Sequence, residues 1–478
     1  MTPPPLEQAA EGNEAEQAAI VPQHLVLVLP STGEFDSRSY RIARALLERG
    51  HRVTMLARWK AGLALEEQDP AGYPIIRVPA STMDGLPFKG VRSLVGGAVR
   101  RLYLLRTRGR GRPSAGAAPA SAASAPASAV ASSEAARPAP TAARASLPRR
   151  AWLAAIRKLA IPLTLRSHVR NARRVAPVAD LYHGMAYMGI PIALDLGGRA
   201  HAAVVYDARD IYLEARNLAR SSGLTRWLAA RAERGWAARS GRVITVNDAY
   251  ADVMAQRLRV TRPLVVMNCS YRYTPAEPRE RRFHERFGLA PSERIVLYHG
   301  GLFPHRGVEE LMDAVTKVDG TTLVLMGYGV LEPEFRERAG RPPYVGRIQM
   351  MNAVPPAELL DWVACADVVG MPIQASTLNH RLTTPNKLFE AMAAGVPAVV
   401  SDLPGMAAIV RETGCGTLVD PASVDEIAAA IREIVGLSEA DWQAWRRRCL
   451  VAAHDRYNWE TQVGRLLDEY SRLTGKRW

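Results

Sequence analysis

Residues 384–401 read TPNKLFEAMAAGVPAVVS, and this stretch says most about the fold. Its apolar spacing predicts a helix that Thr384 caps, Pro385 begins and Gly395 ends. The β-branched residues of 398–401 follow at once and predict a strand. A helix joined this closely to a strand is typical of an open α/β fold, in which ligands bind at the edge of the sheet.

The first turn of this helix carries polar groups that suit an anionic ligand. Its free N–H groups and its dipole favour negative charge, and Lys387 adds a full positive charge. Glu390 lies one turn further along and can accept hydrogen bonds from sugar hydroxyls. The alternative is an ordinary capped helix with a solvated Glu390. We favour the anion site because Lys387, Asn386 and Glu390 lie close together at one helix end.

A second loop, GGLFPHRG at 300–307, follows a predicted strand over 294–299 and precedes a predicted helix over 308–318. Its two leading glycines let the backbone approach a phosphate closely, and Arg306 supplies a fork of donors. His299, the last strand residue, is a candidate for a contact near the same ligand. The loop matches neither the dinucleotide fingerprint nor the P-loop.

The order of elements predicts two doubly wound α/β domains in sequence. A strand over 24–29, a helix over 39–49 and a strand over 52–57 form a β-α-β unit, which implies a parallel sheet. A long helix is predicted over 213–238, and the last part of the chain, 441–473, is predicted to be helical. Further strands are predicted over 202–206, 242–246, 264–267, 322–326, 367–371 and 398–401.

The positive charge of the chain is concentrated in one segment. Hydrophobic residues make up 48%, which excludes wholesale disorder, and the formal net charge is +15. Residues 89–174 hold 18 Lys and Arg and one acid, Glu134, so the rest of the chain is close to neutral. Within this segment, 108–150 is rich in Ala, Pro, Ser and Arg and predicts a disordered insert.

The flanks of the insert have a different pattern. Apolar residues at helical spacing among basic ones, around 95–102 and 152–163, predict amphipathic helices. Such helices either lie on an anionic membrane surface or pack on their own domain. No nucleic-acid motif accompanies the basic charge, so we do not expect a nucleic-acid partner.

The cysteines and the N-terminal residues bear on location. The four cysteines are far apart, which suits neither a zinc site nor a disulfide scaffold. The first residues lack the basic and apolar regions of a signal peptide, and no run of 18 apolar residues occurs. We therefore expect a cytoplasmic protein, with the inner face of the membrane as a candidate site of peripheral binding. The cysteines are Cys269, Cys365, Cys415 and Cys449.

Taken in order, these motifs resemble those of family 4 glycosyltransferases, a GT-B family built from two Rossmann-like domains that face each other across a cleft. The resemblance spans most of the chain apart from the insert and the tail. It implies a hexosyltransferase-like enzyme that moves a sugar with retention from a UDP- or GDP-sugar to a glycan or lipid-linked acceptor, without a metal or cofactor. Cell-envelope or exopolysaccharide biosynthesis is the implied setting. The matching segments are 35–38, 50–53, 180–183, 206–216, 243–247, 267–268, 300–307, 327–329, 354–355 and 385–397.

The resemblance also implies roles for individual residues. Arg306 and Lys387 neutralise the departing diphosphate as catalytic residues, and Glu390 holds the ribose. Donor-binding residues are Gly33, Gly300, Gly301, Gly327, Pro385, Asn386, Leu388 and Glu390. Acceptor-side residues are Asp36, Arg38, His183, Asp207 and Arg209. The implied domains are a disordered tail (1–20), an acceptor domain (21–270), a donor domain (271–455) and a C-terminal helix (456–478) that packs on the acceptor domain.

Three positions depart from the family pattern. Leu382 stands where a first Glu is common, Gly301 where an Arg is common, and Arg209 where a His is common. An arginine does not lose its proton in proteins, so Arg209 is expected to bind a phosphate and not to act as a base. The departures keep two alternatives open: a catalytically inactive GT-B scaffold and a sugar-nucleotide epimerase.

Overall fold

The computed structural model describes residues 21–34, 36–81, 162–214, 218 and 221–478. The predicted tail, the predicted insert and most of the flanking segments lie outside these residues. Among the described helices, none combines the length and the apolar character that a membrane crossing requires.

Fourteen strands occur in the described residues and form two sheets. The first sheet has the order β3-β4-β2-β1-β5-β6-β7-β8, and the second has the order β11-β10-β9-β12-β13-β14. The strands are β1 His24–Val28, β2 Arg52–Arg58, β3 Glu66–Gln68, β4 Pro74–Val78, β5 Leu181–Met185, β6 Ala203–Asp207, β7 Arg242–Thr245, β8 Leu264–Val265, β9 Arg294–Gly301, β10 Thr321–Tyr328, β11 Ile348–Met351, β12 Val368–Met371, β13 Ala398–Ser401 and β14 Gly416–Val419.

Helices connect these strands. A helix over 162–175 is followed by Ala186–Ala200, and a short 3-10 helix spans Tyr212–Glu214. The other helices are Ser37–Leu47, Gly223–Arg239, Asp248–Leu258, Arg282–Phe287, Val308–Val315, Glu332–Ala339, Leu359–Val363, Leu378–Leu382, Asn386–Ala394, Pro404–Thr413, Val424–Val435, Glu439–Asp455 and Trp459–Thr474.

The predicted parallel β-α-β pattern is confirmed. Strand β1 pairs in parallel with β2 and β5, and β9 pairs in parallel with β10 and β12. The exception is the short β3, which pairs antiparallel with β4. Because parallel strands run in one direction, their carboxyl ends meet at one edge of each sheet.

The second sheet is buried on both faces. Along β9, Ile295 and Leu297 belong to one apolar cluster, whereas Val296 and Tyr298 belong to another. This alternation follows from the period of two along a strand, and it needs helices on both faces of the sheet. The core therefore fixes β9 firmly up to His299, where the polar edge begins.

The described residues divide into two compact units. Of the described residues, unit 1 comprises 21–34, 36–81, 162–207, 239–241 and 469–478, and unit 2 comprises 208–214, 218, 221–238 and 242–468. The domain boundaries given by the resemblance remain predictions.

Two predicted helices differ from the structure. The helix predicted over 213–238 begins only at Gly223. The helical region predicted over 441–473 is two helices separated near Asn458. The Asn458 side chain donates to the carbonyls of Ala453 and His454 and accepts from the N–H of Thr461, so one side chain ends the first helix and begins the second.

All four cysteines are buried, and none of them forms a disulfide bond. Burial raises the pKa of the Cys365, Cys415 and Cys449 thiols above their ordinary value. These thiols are therefore neutral packing groups within the apolar core.

Candidate functional site

The site in unit 2 begins where β9 ends in two glycines. Gly300 has a φ of +103°, and a Cβ atom there would lie 3.1 Å from Cε of Lys387. On the neighbouring strand, a Cβ atom at Gly327 would lie 1.9 Å from the carbonyl oxygen of Gly300. Both positions therefore require glycine. Their bare backbone brings the strand ends and the lysine together.

The loop that carries Arg306 is held by close backbone contacts. Gly307 has a φ of +73°, and a Cβ atom there would lie 1.9 Å from the Pro372 carbonyl oxygen. The N–H of Gln374 donates to the His305 carbonyl at 3.1 Å. Arg306 between these anchors is half-buried. Within the part of the chain that the structure describes, its guanidinium has no hydrogen bond and no ion pair.

The helix Asn386–Ala394 begins differently from the prediction. Pro385 occupies the N-cap position, with no side-chain capping bond, so the predicted cap at Thr384 is wrong. The Thr384 hydroxyl accepts from Nδ2 of Asn247 at 2.8 Å and donates to the Gly405 carbonyl at 3.1 Å. Because tertiary partners take the hydroxyl, it does not cap the first turn. Gly395 ends the helix as predicted, with a φ of +70°.

Lys387 lies in the first turn of this helix. Its Nζ atom is 3.6 Å from the centroid of the Tyr298 ring, a cation–π contact. Burial and then the nearby charge of Arg306 lower the pKa of Lys387 well below its ordinary value, against the opposing effect of Glu390. No described residue accepts a hydrogen bond from Nζ or forms an ion pair with it. Two cations thus repel each other at a glycine-lined sheet edge, an arrangement that an anion would relieve.

Glu390, the predicted ribose ligand, is paired with His299. Nε2 of His299 lies 2.8 Å from Oε2 of Glu390, and both side chains are buried. Because an ionised carboxylate only accepts, Nε2 carries the hydrogen. His299 therefore orients Glu390 at the edge of the site. The two residues are 91 positions apart, so the sequence motifs did not connect them.

The remaining predicted donor residues differ in their contacts and in their burial. Oδ1 of Asn386 accepts from Nδ2 of Asn268 at 3.1 Å, and Pro385 is half-buried beside it. At Gly301 a Cβ atom would lie 2.6 Å from the Phe303 ring. The Leu388 side chain is fully buried in the core. Gly33 belongs to unit 1, where its carbonyl accepts from the Tyr40 hydroxyl at 2.5 Å.

Three predicted acceptor-side residues meet in unit 1. Nε of Arg38 lies 2.6 Å from Oδ2 of Asp207, and Nε2 of His183 lies 3.3 Å from the same oxygen. Nδ1 of His183 is 2.5 Å from the Tyr470 hydroxyl, whose pKa is raised by burial and by the charge of Asp207. The side chains of Arg38, His183 and Asp207 are at most 1% exposed. They form a buried network that joins the middle of β5, the end of β6 and the start of the helix Ser37–Leu47.

The other two predicted acceptor-side residues are Asp36 and Arg209. Asp36 is the N-cap of the helix Ser37–Leu47, and its Oδ1 accepts from the N–H of Ser39 at 3.2 Å. Arg209 belongs to unit 2 and is half-buried.

Unit 2 also contains a cluster that the motifs did not indicate. Oδ1 of Asn379 accepts from the N–H of Ile211 at 2.9 Å, and Nδ2 of Asn379 donates to the Ile211 carbonyl at 3.2 Å. The buried Tyr250 hydroxyl donates to the Asn379 carbonyl at 3.0 Å. These bonds span 168 and 129 positions of sequence, and no local pattern signals them.

Asp210 directly precedes Ile211, whose backbone is bonded on both sides by Asn379; we call this pair of bonds the clamp. Its side chain keeps exposed surface, yet protein atoms crowd the carboxyl group, and this desolvation raises its pKa. The charges of Arg209 and Arg306 oppose the rise.

Among the residues that the structure describes, no group of three His, Cys, Asp or Glu side chains is arranged to hold a metal ion.

Comparison with known proteins identifies one segment in the second half of the chain. Residues 293–436 match the family model described as glycosyl transferases group 1. This segment is a group 1 glycosyl transferase domain. The predicted kinship with family 4 glycosyltransferases, and the predicted enzyme class, are confirmed at the level of this domain. The matched segment contains Arg306, Lys387 and Glu390.

The curated relatives of the chain are named as glycosyltransferases. The chain is 29% identical over 195 residues to a D-inositol 3-phosphate glycosyltransferase of Segniliparus rotundus, an alignment covering 38% of this chain and 41% of the relative. It is 34% identical over 194 residues to a GDP-mannose:cellobiosyl-diphosphopolyprenol alpha-mannosyltransferase of Xanthomonas campestris, covering 39% and 49%. The chain thus spans about half the length of the curated relatives that it matches.

A solved structure extends the likeness to the whole fold. Anabaena HepE in complex with UDP-glucose matches with a TM-score of 0.62 and 15% identity, over 94% of this chain and 100% of HepE. At this identity the likeness concerns the fold. It confirms the predicted GT-B class for a chain that carries the glycosyl transferase domain.

Proposed function

We propose that the chain is a retaining glycosyltransferase that moves a sugar from a UDP- or GDP-sugar to a hydroxyl group of a glycan or lipid-linked acceptor. Cell-envelope or exopolysaccharide biosynthesis is the proposed setting. The observation that carries the proposal is the meeting of Arg306 and Lys387, two cations without a bonded acid, at a glycine-lined sheet edge. A nucleotide diphosphate carries the negative charge that such a site would bind.

In the proposed reaction, the acceptor oxygen bonds to the anomeric carbon as the bond from that carbon to the diphosphate oxygen breaks. The acceptor proton passes to the departing diphosphate. Negative charge grows on that diphosphate in the transition state, where preorganised cations stabilise it. Arg306 and Lys387 supply this stabilisation, and Glu390, oriented by His299, binds the ribose hydroxyls. The retaining outcome rests on the resemblance to family 4 glycosyltransferases, and the anomeric proton signal of the product in NMR tests it.

The two nucleotides in the proposal come from the named relatives. The Xanthomonas enzyme is named for GDP-mannose, and HepE was solved with UDP-glucose. We therefore propose a nucleoside diphosphate sugar as the donor and test both bases. The same Xanthomonas name includes a diphosphopolyprenol, which supports a lipid-linked acceptor.

We expect GDP or UDP to raise the melting temperature of the full chain without added metal, whereas GMP and UMP do not, because the second phosphate meets the two cations. A bound diphosphate raises the pKa of Lys387, which is lowered in the free protein, because its negative charge favours the protonated amine. Affinity therefore falls as pH rises through that pKa. Isothermal titration calorimetry measures the affinity for the diphosphates and the monophosphates and its change with pH. The titrations are done above about pH 7.5, where phosphates with a pKa near 6 are fully ionised.

The calorimetric control is the variant Lys387→Met, which removes the titrating group. This variant should bind the diphosphate more weakly and without taking up a proton. Proton uptake is measured by comparing the heat of binding in buffers of different ionisation enthalpy. Equal affinity for mono- and diphosphates, or uptake that persists in the variant, would contradict the proposed site.

We further propose that the chain works at an anionic membrane surface. Three large apolar side chains at helical spacing are exposed on the helix Gly223–Arg239: Leu224 by 67%, Trp227 by 58% and Leu228 by 52%. The same helix carries four arginines and a single acid, the buried Glu233. An exposed apolar face with basic neighbours is typical of helices that lie in the lipid interface.

The double variant Trp227→Ala/Leu228→Ala is expected to bind vesicles of phosphatidylglycerol and phosphatidylcholine at least about tenfold less tightly, since about 1.4 kcal/mol of lost apolar burial has that effect. Co-sedimentation at low and high salt measures this. The matched control is Val451→Ala, a residue 59% exposed on the helix Glu439–Asp455. Equal pelleting of both variants would contradict the role of this face.

A further inference from the structure

We infer that Asp210 is a further substrate-contacting residue, whose carboxylate accepts a hydrogen bond from the acceptor's hydroxyl group beside Arg306. The inference rests on the proposed function and deepens it, because it assigns a group for the acceptor, whose binding the sequence motifs placed on other residues. Four observations in unit 2 carry it: the rigid backbone around Asp210, its exposed and unpaired carboxylate, its nearness to Arg306, and the shared anchoring of the two loops.

The backbone on both sides of Asp210 is fixed. On one side, the N–H of Ala208 donates to the Ile244 carbonyl at 2.9 Å, and the Thr245 hydroxyl donates to the Ala208 carbonyl at 2.7 Å. On the other side, the Asn379 amide bonds both the N–H and the carbonyl of Ile211. The N–H and the carbonyl of both Ala208 and Ile211 are thus hydrogen-bonded. The segment 208–211 is therefore held in one position.

Asn379, the residue that forms the clamp, is itself held by Tyr250. Besides its bond to the Asn379 carbonyl, the Tyr250 hydroxyl lies 3.2 Å from Oδ1 of Asn379, and Tyr250 is 2% exposed. Burial raises the pKa of this phenol, so it remains a neutral donor. A braced amide of this kind serves as a rigid support for the residue beside it.

The Asp210 carboxylate is available to a ligand. Over the described residues, no side chain or backbone group donates a hydrogen bond to it or pairs with it. The carboxylate is crowded by protein atoms, keeps exposed surface and has no partner among the described residues, so its oxygens can accept hydrogen bonds from a ligand. Hydroxyl groups are donors that could supply them. Asp210 is thus suited to accept from a sugar or polyol hydroxyl.

The charges near Asp210 favour an acceptor over the donor diphosphate. A carboxylate repels a diphosphate, so Asp210 does not bind the phosphates itself. Arg306 is close enough for its charge to lower the pKa of Asp210, of Tyr250 and of Lys387. A hydroxyl held by Asp210 would therefore lie near the donor cations, where transfer takes place.

The clamp also connects this segment to the donor loop. Asn379 belongs to the helix Leu378–Leu382, which directly precedes Pro385 and the helix of Lys387. Its neighbour His380 has its ring 6.4 Å from the ring of His305, which precedes Arg306. The segment that presents Asp210 and the loops that present the two cations thus share anchors within one unit.

The test compares transfer with donor binding in the full chain. Using GDP-mannose and UDP-glucose as donors, and the octyl glycoside that gives the highest wild-type turnover in a small panel, we expect Asp210→Asn to lower kcat/KM for the glycoside by at least about thirtyfold. A lost hydrogen bond to a charged group has this scale. The dissociation constant for the nucleotide diphosphate should change by less than about twofold. Asn379→Ala should lower kcat/KM in the same direction, because it frees the segment.

The control variant is Asp252→Asn, which neutralises an exposed aspartate that pairs with Arg262 on the surface of the same unit. It should leave turnover and nucleotide affinity unchanged. Transfer by Asp210→Asn at the wild-type rate would overturn the inference, and so would an equal loss of nucleotide affinity, which would assign Asp210 to the donor site or to folding. A wild-type chain that binds no nucleotide would refute the proposed function, and the inference with it.

Discussion

Replacing Arg306 or Lys387 by alanine is expected to lower kcat/KM by at least about a hundredfold in each case, the scale observed when one preorganised transition-state donor is lost. Both side chains lie at loop-to-helix junctions of unit 2, and neither is bonded to an acid among the described residues. Their charge is therefore unused in the free protein and available to the departing diphosphate. The double variant should lose less than the product of the two effects, because the cations act on the same charge.

Nucleotide-sugar turnover measured by mass spectrometry checks this expectation. Two substitutions of the same chemical kind serve as controls. Lys317→Ala removes a surface lysine paired with Asp425, and Arg411→Ala removes a surface arginine paired with Asp402. Both controls should retain turnover within about twofold, since surface ion pairs contribute little. Near-wild-type turnover in Arg306→Ala and Lys387→Ala would remove these residues from the mechanism.

Gly307→Ala is expected to lower the free energy of unfolding by about 2–4 kcal/mol and to weaken nucleotide binding with it. A Cβ atom at this position meets a carbonyl oxygen at 1.9 Å, and the oxygen belongs to the backbone, which cannot rotate away as a flexible side chain would. The φ of +73° adds the cost of a left-handed conformation. Since the loop that carries Arg306 ends here, relief of the clash would displace the arginine.

Two other glycines separate these causes in chemical denaturation. Gly320→Ala tests the left-handed conformation alone, because its φ is +65° and no atom lies within 4 Å of the added Cβ. Gly464 lies within a helix, does not have a left-handed φ, and would place its added Cβ more than 4 Å from other groups. Gly464→Ala should therefore leave the free energy of unfolding unchanged or raise it slightly. If Gly307→Ala is no less stable than Gly320→Ala, the packing against Pro372 is not what holds the loop.

The fold was predictable where local pattern and global topology agree. Strand 294–299 was predicted within two residues of its observed end because a run of apolar residues stops at glycines. The strands Glu66–Gln68 and Pro74–Val78 were not predicted. The first is polar and fully exposed, so it shows no apolar pattern, and the second begins with a proline.

The site was predictable where it depends on loop chemistry and unpredictable where it depends on pairing. Arg306 and Lys387 were correctly placed near helix starts, because each follows a turn whose glycine or proline signals one. The bond of His299 to Glu390 and the clamp of Asn379 on Ile211 join residues far apart in sequence, so only the folded chain reveals them. The cap at Thr384 failed for the same reason, because Asn247 and Gly405 take its hydroxyl.

The burial of all four thiols makes the native protein unreactive toward thiol-directed labels. Alkylating reagents attack thiolates, and a buried thiol with a raised pKa presents almost none to solvent. A single cysteine introduced at an exposed position, such as Trp227 or Val451, would then be the preferred site for a fluorophore or spin label, with no need to replace the native cysteines. Their core packing would stay intact, and a probe at Trp227 would report its surroundings directly as vesicles are added.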